Sequence, residues 1–337
     1  MKSKRSNYKK PRRSKHSYNK PKEKREFYTK ENIFVSRMAS ILLKPKSKIK
    51  TLFSQKSVTT IRLNPLKGDT EKTKRSLMGR GYEFEEVSWA PNTYHILNKD
   101  KAKVSETYEY EDGKFYIQNL SSILLSLLLE PKEEEKILDI YAAPGDNTTH
   151  IAAMTNNKAE IVANEFEISR VSSLNNVLDH FGVENCDVVL NDPNDLGTKY
   201  PITFDKVLLS APSSKEGDIS FKDLTSLRAW SIQRVKKYSH IQKDLIESAF
   251  LSLKHGSFMI YSTYTLETEE NEGVVTYLLG KYPNARLEDI KVSKEVEFTK
   301  GITKWSGNTY HPSVKKSIRI LPSEKMKGCY IAKIFKE

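Results

Sequence analysis

Apolar and polar positions change their spacing repeatedly along the second half of the chain, which predicts alternating strands and helices. Short apolar runs predict buried strands, and apolar residues three or four positions apart predict helices that pack against them. The runs that predict strands are KILDIY at 136–141, EIVAN at 160–164, DVVLN at 187–191, DKVLLS at 205–210, SFMIYST at 257–263 and, as a closing β-pair, KSIRILP at 316–322 and GCYIAKIFK at 328–336. The accompanying helices are predicted at 148–155, 168–182, 235–254 and 269–282. This alternation predicts an α/β fold with a parallel, doubly wound sheet, in which ligands bind at the carboxyl ends of the strands.

The first third of the chain predicts a smaller unit. A helix and a basic connector are expected at 31–50, and a strand, a helix and a second strand follow from residue 58. We therefore divide the chain into a tail at 1–30, a small α+β module at 31–112 and the α/β domain at 113–337.

The net charge of +13 is concentrated at the N-terminus. Residues 1–26 hold twelve Lys and Arg against two Glu, which gives +10 and leaves +3 for the other 311 residues. Because this basic arm has no apolar periodicity, we expect it to be disordered. Such an arm is typical of polyanion binding, with RNA as the expected partner, while a solubilising tail and a transit peptide are the alternatives. If the arm does not bind RNA, we expect an RNA surface around Lys44, Lys46, Lys48 and Arg62.

Composition narrows the cellular setting. No apolar run approaches the length of a membrane span or resembles the apolar region of a signal peptide. The two cysteines, Cys186 and Cys329, are too few for a disulfide framework or a zinc site, and they fit a reducing compartment. We therefore expect a cytoplasmic protein that has no membrane partner, holds no metal and acts as a monomer.

The loop after the first of these strands is a candidate ligand site. It reads AAPGDNTT at 142–149, and a glycine-bearing turn before a helix lets backbone N–H groups approach a ligand. Glu165 ends the second strand, where a carboxylate accepts hydrogen bonds from a ribose diol, and Asp192 follows the third, within reach of an adenine amine. Each feature alone also fits an ordinary turn or a solvated strand end. In register with five strands, they indicate a nucleoside cofactor.

Several segments resemble one known family. LDIYAAPGDNTTHIAA at 138–153 is similar to LDMCAAPGGKTTHIA of the Sun/Fmu-type (RsmB/Nop family) RNA cytosine-C5 methyltransferases. FYIQNLSS at 115–122 resembles the segment that precedes it, and SVTTIRLNPL at 57–66 resembles the family's small RNA-binding module. The resemblance covers about residues 45–337. It implies a class I, Rossmann-like methyltransferase domain with S-adenosylmethionine as cofactor and RNA as partner.

The resemblance also implies which residues line the cofactor pocket. These are Ala142, Ala143, Pro144, Gly145, Asp146, Asn147, Thr148, Glu165, Asp192 and Ser210. Asp146 stands where the family has a second glycine, and Asn147 where it has a lysine. Both changes make the loop more negative beside the cofactor's carboxylate, so we expect an affinity loss of about 1–3 kcal/mol.

Two positions at which the family carries cysteines hold other residues. The family motifs DAPCSGEG and STCT correspond to SAPSSKEG at 210–217 and STYT at 262–265, so the cysteine positions are Ser213 and Tyr264. In the family, one thiolate adds to C6 of cytosine, which makes C5 nucleophilic, and the second assists release. A phenol is a weaker nucleophile with a pKa of about 10. Ser210 also replaces the motif aspartate that holds the cytosine edge.

The two cysteines that the chain does contain are not expected to substitute for the missing ones. Cys186 precedes the third strand of the α/β domain and Cys329 lies in its last strand, and we place both away from the pocket. Buried roles as small apolar side chains are expected for them.

These observations favour an RNA-binding homologue of the RNA cytosine-C5 methyltransferases that acts on rRNA or tRNA and is degenerate in catalysis. Two alternatives stay open. One is an active S-adenosylmethionine-dependent RNA methyltransferase of altered chemistry. The other is a small-molecule methyltransferase, against which the basic arm argues.

Overall fold

A computed structural model describes residues 22–223 and 225–337. Within this part of the chain, the α-helices are α1 (Lys22–Leu42), α2 (Lys46–Leu52), α3 (Thr70–Gly79), α4 (Lys101–Ser105), α5 (Tyr108–Glu111), α6 (Leu120–Leu129), α7 (Asp146–Met154), α8 (Ile168–His180), α9 (Leu196–Lys199), α10 (Ile232–Ser252) and α11 (Glu272–Lys281). The strands are β1 (Thr59–Leu63), β2 (Phe84–Glu86), β3 (Thr93–Ile96), β4 (Phe115–Ile117), β5 (Lys136–Asp139), β6 (Glu160–Glu165), β7 (Cys186–Leu190), β8 (Phe204–Ala211), β9 (Leu253–Thr263), β10 (Ala285–Glu288), β11 (Phe298–Lys300), β12 (Lys304–Trp305), β13 (Asn308–Thr309), β14 (Ile318–Ile320) and β15 (Cys329–Lys336). Each strand predicted for the α/β domain is present.

The large sheet confirms the predicted α/β fold. Its strands lie in the order β11-β14-β15-β9-β8-β5-β6-β7, and β10 pairs with β15. The neighbours from β7 to β9 pair in parallel, and the pairs that involve β10, β11, β14 and β15 are antiparallel. β5 has β6 on one side and β8 on the other, so the strand order reverses there. Such a switch point opens a crevice at the carboxyl ends of the strands.

Both faces of this sheet are buried. On one face, Leu245 and Phe250 of α10 pack with Val207 and other residues of the central strands. On the other face, α6 and α7 contribute Leu125 and Ile151 to a second apolar cluster. Burial on both faces explains why the strands read as continuous apolar runs.

The N-terminal module confirms the strand–helix–strand pattern. Its sheet has the order β2-β3-β1-β4, and all of its pairs are antiparallel. α3 contributes Leu77 to a core that also contains Ile61 and Phe115. Because β4 pairs with β1, the small sheet includes a strand beyond residue 112.

The first two helices pack on the α/β domain. Phe34 and Met38 of α1 share an apolar cluster with Trp230 and Leu266, and the rings of Phe34 and Trp230 lie 5.3 Å apart. Leu266 belongs to the loop that follows β9. The start of the chain therefore covers one of the loops at the carboxyl edge of the large sheet.

The basic arm differs in part from the sequence prediction. α1 begins at Lys22, so residues 22–30 are helical, although we expected them to belong to a disordered tail. Residues 1–21 lie outside the described part of the chain. Among the described helices, none combines the length and the apolar character that crossing a bilayer requires.

Candidate active site

The loop between β5 and α7 forms one wall of the crevice. Gly145 has φ +107°, and a Cβ there would lie 2.9 Å from Val177 Cγ1, so this turn requires glycine. Its N–H donates to Ala142 O (2.7 Å), which closes the turn directly before Asp146. The first turn of a helix has N–H groups without intrahelical acceptors. The loop at 142–148 therefore lies at the switch point, directly before the N-terminus of α7.

Two buried carboxylates beside this loop have an oxygen without a hydrogen-bond partner. Asp139 and Glu165 are fully buried, and Asp139 Oδ1 and Glu165 Oε2 accept no hydrogen bond. Their other oxygens are satisfied, because Thr148 Oγ1 donates to Asp139 Oδ2 (2.8 Å) and Phe166 N donates to Glu165 Oε1 (2.9 Å). Burial raises the pKa of Asp139 to about 7. Asp139 Oδ1 is therefore an unpartnered buried acceptor, and Glu165 Oε2 has only an ion-pair contact, with Arg170 Nη1 (3.2 Å); carboxylates so placed beside a helix N-terminus fit a ligand with several hydroxyl and amino groups.

Sequence reasoning missed Asp139 and also Arg170. Arg170 Nη2 donates to Ala143 O (2.6 Å), and its Nη1 lies 3.2 Å from Glu165 Oε2. The guanidinium therefore ties the loop after β5 to the carboxylate that ends β6. Asp139 had a sequence signal, since it precedes the glycine loop by a few residues, whereas Arg170 lies on a helix face with no motif of its own.

Asp192 fits the crevice less closely than Glu165. Its side chain is exposed, and Oδ1 accepts from Asn194 N and from Asn194 Nδ2, both at 2.9 Å. Asp192 caps a short 3₁₀ helix. This position corresponds to the solvated strand end that we considered as an alternative from the sequence.

The two changed residues of the glycine loop face α6 and the N-terminal module. Ser122 Oγ lies 2.5 Å from Asp146 Oδ2 and 2.9 Å from Asn147 Oδ1. Asn147 is buried against Ser126 as well, so only its backbone is available to a ligand. The positive charge of the Arg62 guanidinium partly offsets the negative charge of Asp146. We therefore expect a cofactor penalty near the lower end of the predicted range, about 1 kcal/mol.

Arg62 is buried, so its assignment to an exposed RNA surface was wrong. Only 2% of the residue is accessible, and burial lowers its pKa to about 10. Its Nε donates to Gln118 Oε1 (2.8 Å) and its Nη2 donates to Thr149 Oγ1 (3.0 Å). Gln118 Nε2 donates in turn to Asp146 O (3.0 Å). A strand of the module thus holds the first turn of α7.

Replacing Arg62 is expected to lower the free energy of unfolding. Arg62→Met removes a buried cation and two hydrogen bonds, and we expect a loss of about 3 kcal/mol. Arg75→Met, at an exposed site on α3 of the same module, serves as the matched control with an expected change below about 0.5 kcal/mol. Urea unfolding measures both, and equal losses for the two variants would contradict the buried network.

Ser213 and Tyr264 lie on neighbouring loops at the carboxyl edge. β8 and β9 are parallel with Ala211 opposite Thr263, so the Ser213 loop (212–217) and the Tyr264 loop (264–271) start side by side. Gly217 N donates to Tyr264 O (2.9 Å), which joins the loops. Ser213 is buried, and Ser210 is half-buried opposite Ser262 in the strands below. The positions that the sequence paired are therefore close in space.

The phenol of Tyr264 projects toward the glycine loop. The side chain is half-buried in the apolar cluster of α6, with Ser122 and Asp146 beside it. Burial, together with the negative charge of Asp146, raises the pKa of Tyr264 well above that of an ordinary phenol. A neutral phenol at this place accepts or donates a hydrogen bond but does not act as a nucleophile.

Cys329 lies near Tyr264, although we expected it away from the pocket. β15 pairs with β9 such that Tyr330 faces Thr263, so Cys329 and Tyr264 come directly after the last residues of this pairing, and both belong to the same apolar cluster. Cys329 is fully buried, and burial raises the pKa of its thiol to about 12. Cys186 is half-buried at the start of β7, with a pKa of about 12 for the same reason. Both thiols are therefore protonated at neutral pH.

Two family models match consecutive parts of the chain. A family model of the 16S rRNA methyltransferase RsmB/F matches residues 126–335. A second model, of the N-terminal domain of 16S rRNA methyltransferase RsmF, matches residues 31–120.

Individual relatives agree with these matches. The ribosomal RNA small subunit methyltransferase F of Shewanella oneidensis is 39% identical over 67% of this chain and 48% of its own length. The tRNA (cytosine(49)-C(5))-methyltransferase of Pyrococcus abyssi is 36% identical over 82% of this chain and 88% of its own. The chain thus spans about half the length of the bacterial relative and most of the archaeal one.

A solved structure that contains a cofactor analogue has a similar fold. NSun6 from Pyrococcus horikoshii, in complex with the S-adenosylmethionine analogue SFG, superimposes with a TM-score of 0.71 at 25% identity, and the match covers 94% of this chain and 98% of that one. The chain therefore belongs to the RsmB/F family of S-adenosylmethionine-dependent RNA methyltransferases.

Proposed function

We propose that this chain binds rRNA or tRNA as a homologue of the RNA cytosine-C5 methyltransferases and does not form their covalent cytosine intermediate. The observation that supports the proposal is the pair of adjacent loops that hold Ser213 and Tyr264, the two positions at which the sequence resemblance implies cysteines. We further propose that the protein works as a monomer in the cytoplasm.

The residues of the crevice divide into a binding set and an altered catalytic set. S-adenosylmethionine, when bound, supplies an electrophilic methyl group. Glu165 would hold the ribose hydroxyls, and the free N–H groups of α7 would hold polar groups of the cofactor. On the opposite wall, attack on C6 of cytosine requires a populated thiolate or a comparable nucleophile. Tyr264 offers a neutral phenol instead, so binding is retained and activation of the base is not.

One observation favours a second candidate, an active RNA methyltransferase of altered chemistry. Cys329 shares an apolar cluster with Tyr264 and precedes Tyr330, which pairs with the last residue of β9 before the Tyr264 loop. A movement that exposes Cys329 would return a thiol to this wall. The fully buried position and the raised pKa of Cys329 make this the weaker proposal.

Glu165 is expected to dominate cofactor affinity. Glu165→Gln replaces a buried acceptor of negative charge, and hydrogen bonds to charged groups contribute about 1.5–3 kcal/mol, so the dissociation constant should rise at least about tenfold. Asp192→Asn keeps an acceptor oxygen at an exposed site and should change affinity little. Isothermal titration with S-adenosylmethionine measures both, and an equal effect of the two variants would contradict the assignment of Glu165.

Equilibrium binding tests the proposal as a whole. The wild-type chain should bind S-adenosylmethionine in calorimetry and should bind unmodified tRNA or rRNA fragments in gel-shift titrations. Failure of the wild-type chain to bind S-adenosylmethionine, or to bind RNA, would overturn the proposal. Binding of S-adenosylmethionine without any RNA affinity would point to the small-molecule alternative.

A further inference from the structure

The Ser213 loop and the Tyr264 loop contain three fully buried glutamates. Glu216 belongs to the Ser213 loop, and Glu267 and Glu270 belong to the Tyr264 loop. Glu216 Oε1 and Glu267 Oε1 accept no hydrogen bond. Carboxylates so close together in an apolar setting cannot all carry a negative charge without nearby cations or shared protons.

Hydrogen bonding around Ser214 requires a proton on this cluster. Ser214 Oγ is hydrogen-bonded to Glu216 Oε2 (2.8 Å) and to Glu270 Oε1. A hydroxyl has one hydrogen to donate, so it donates to one carboxylate and accepts from the protonated oxygen of the other. Burial, reinforced by Glu216, raises the pKa of Glu270 to about 8, which agrees with a retained proton.

Arg37 is the cation that reaches Glu267. It extends from α1, where its Nε donates to Glu267 Oε2 (2.5 Å) and its Nη2 donates to Glu269 Oε1 (2.7 Å). The guanidinium also lies 4.4 Å from the ring centroid of Trp305, and only 13% of the side chain is exposed. Charged hydrogen bonds to two glutamates and a ring contact fix the orientation of this side chain.

We propose that Arg37 is a positioning residue of the active site, which neutralises Glu267 and thereby holds the Tyr264 loop in place from α1. The proposal deepens the proposed function, because α1 directly follows residues 1–21 of the basic arm. It gives RNA bound near the start of the chain a physical connection to the loop that would face the target base.

Other charged groups do not replace Arg37. The groups that face the cluster are Glu216 on the Ser213 loop, Glu269 and Glu270 on the Tyr264 loop, Glu272 on α11 and Arg319 on β14. Arg319 Nη2 donates to both oxygens of Glu272 (2.7 and 2.8 Å), and its Nε donates to Leu266 O (3.1 Å). The second arginine is therefore committed to α11, which leaves Glu267 dependent on Arg37.

The direction of the pH effect follows from these contacts. Burial and the negative charge of Glu216 raise the pKa of Glu267 even beside Arg37, which lowers it, so removal of Arg37 raises this pKa further. Without Arg37, the closed loop holds a proton on Glu267 that the open loop releases above about pH 4.5. Opening then becomes more favourable as the pH rises, by up to about tenfold for each pH unit. Removal of Arg37 is therefore expected to destabilise the closed state of the Tyr264 loop more at pH 8 than at pH 6.

Amide hydrogen exchange of the full chain tests the proposal without RNA or cofactor. Protection factors of residues 264–271 are compared for wild type, Arg37→Met, Arg37→Lys, Glu267→Gln and the double variant Arg37→Met/Glu267→Gln. We expect Arg37→Met to lower protection at least tenfold at pH 8 and less at pH 6. The double variant should return to within about threefold of Glu267→Gln, because a neutral amide needs no counter-cation. Arg37→Lys should be intermediate, since it keeps the charge and loses the forked geometry.

A substitution on α2, which packs beside α1, is the matched control. Lys50→Met removes the ion pair between exposed Lys50 of α2 and Glu31 of α1. This change should leave the protection of the Tyr264 loop unchanged. Unchanged protection in Arg37→Met, a pH-independent loss, or a double variant as open as Arg37→Met would each overturn the proposal. If Arg37→Met does not fold, a folded double variant supports the proposal and an unfolded one overturns it. RNA affinity, measured separately, reports on the proposed function alone.

Discussion

RNA that carries 5-fluorocytosine is expected to form no denaturation-resistant adduct with the wild-type chain. In the family, a thiolate adds to C6 and C5 is then methylated. Release of the enzyme requires loss of a proton from C5, and a fluorine at that position cannot leave, so the covalent adduct persists. Tyr264 is neutral here because its pKa is raised well above that of a free phenol. Burial raises the pKa of the Cys329 thiol to about 12, so this thiol stays protonated at neutral pH.

A relative that holds both cysteines is the positive control for trapping, and it should be captured under the same conditions. Tyr264→Cys alone should give little adduct, because Ser210 lacks the carboxylate that holds the cytosine edge. Denaturing gels with labelled RNA provide the readout. An adduct with the wild-type chain would contradict the proposed loss of covalent chemistry, and a cross-linked peptide containing Cys329 would identify the second candidate as correct.

Removal of residues 1–21 is expected to flatten the salt dependence of RNA binding. These residues hold nine Lys and Arg and no acidic residue. For single strands, log affinity falls by about 0.7 per log unit of salt for each phosphate neutralised, so six engaged cations correspond to a change in slope of about 4. The shortened chain begins at Lys22 because α1 starts there and carries Arg37. Preference for a structured target over random RNA should change little, since phosphate contacts carry no sequence information.

A variant of the folded surface is the matched control for the arm. Lys46 and Lys48 are exposed on α2 and Lys44 lies just before it, so replacing all three by Gln tests the alternative RNA surface. We expect a smaller change in slope than for removal of residues 1–21. An unchanged slope after removal of the arm, with a large change in the α2 variant, would place the RNA on the folded domains.

The sequence predicted the sheet well because each central strand is buried on both faces. β5, β6, β8 and β9 read as short apolar runs, and two-sided burial requires that pattern, whereas β7 lies at the edge of the sheet and is only partly buried. β12 and β13 are two residues long and largely exposed, so no periodicity marks them. The start of α1 was mistaken for part of a disordered tail because the predominance of Lys and Arg there hides the helical spacing of the apolar residues that follow.

The sequence predicted the loops of the candidate site but not the contacts between residues that are distant along the chain. Local sequence marks Gly145 and Glu165, because a tight turn and a strand end are local features. The burial of Arg62 depends on Gln118 and Thr149, which lie 56 and 87 residues away. The approach of Cys329 to Tyr264 depends on the register of an antiparallel pair, and no residue near either position encodes that register.

Transfer of a labelled methyl group tests the central claim most directly. The wild-type chain is incubated with methyl-labelled S-adenosylmethionine and total unmodified RNA, and label in the RNA is counted per molecule of protein. The same preparation must bind S-adenosylmethionine in calorimetry, so that a negative result reflects chemistry and not misfolding. We predict no incorporation above that of a heat-denatured sample. Methylation of cytosine C5 to one or more groups per molecule of protein would contradict the account.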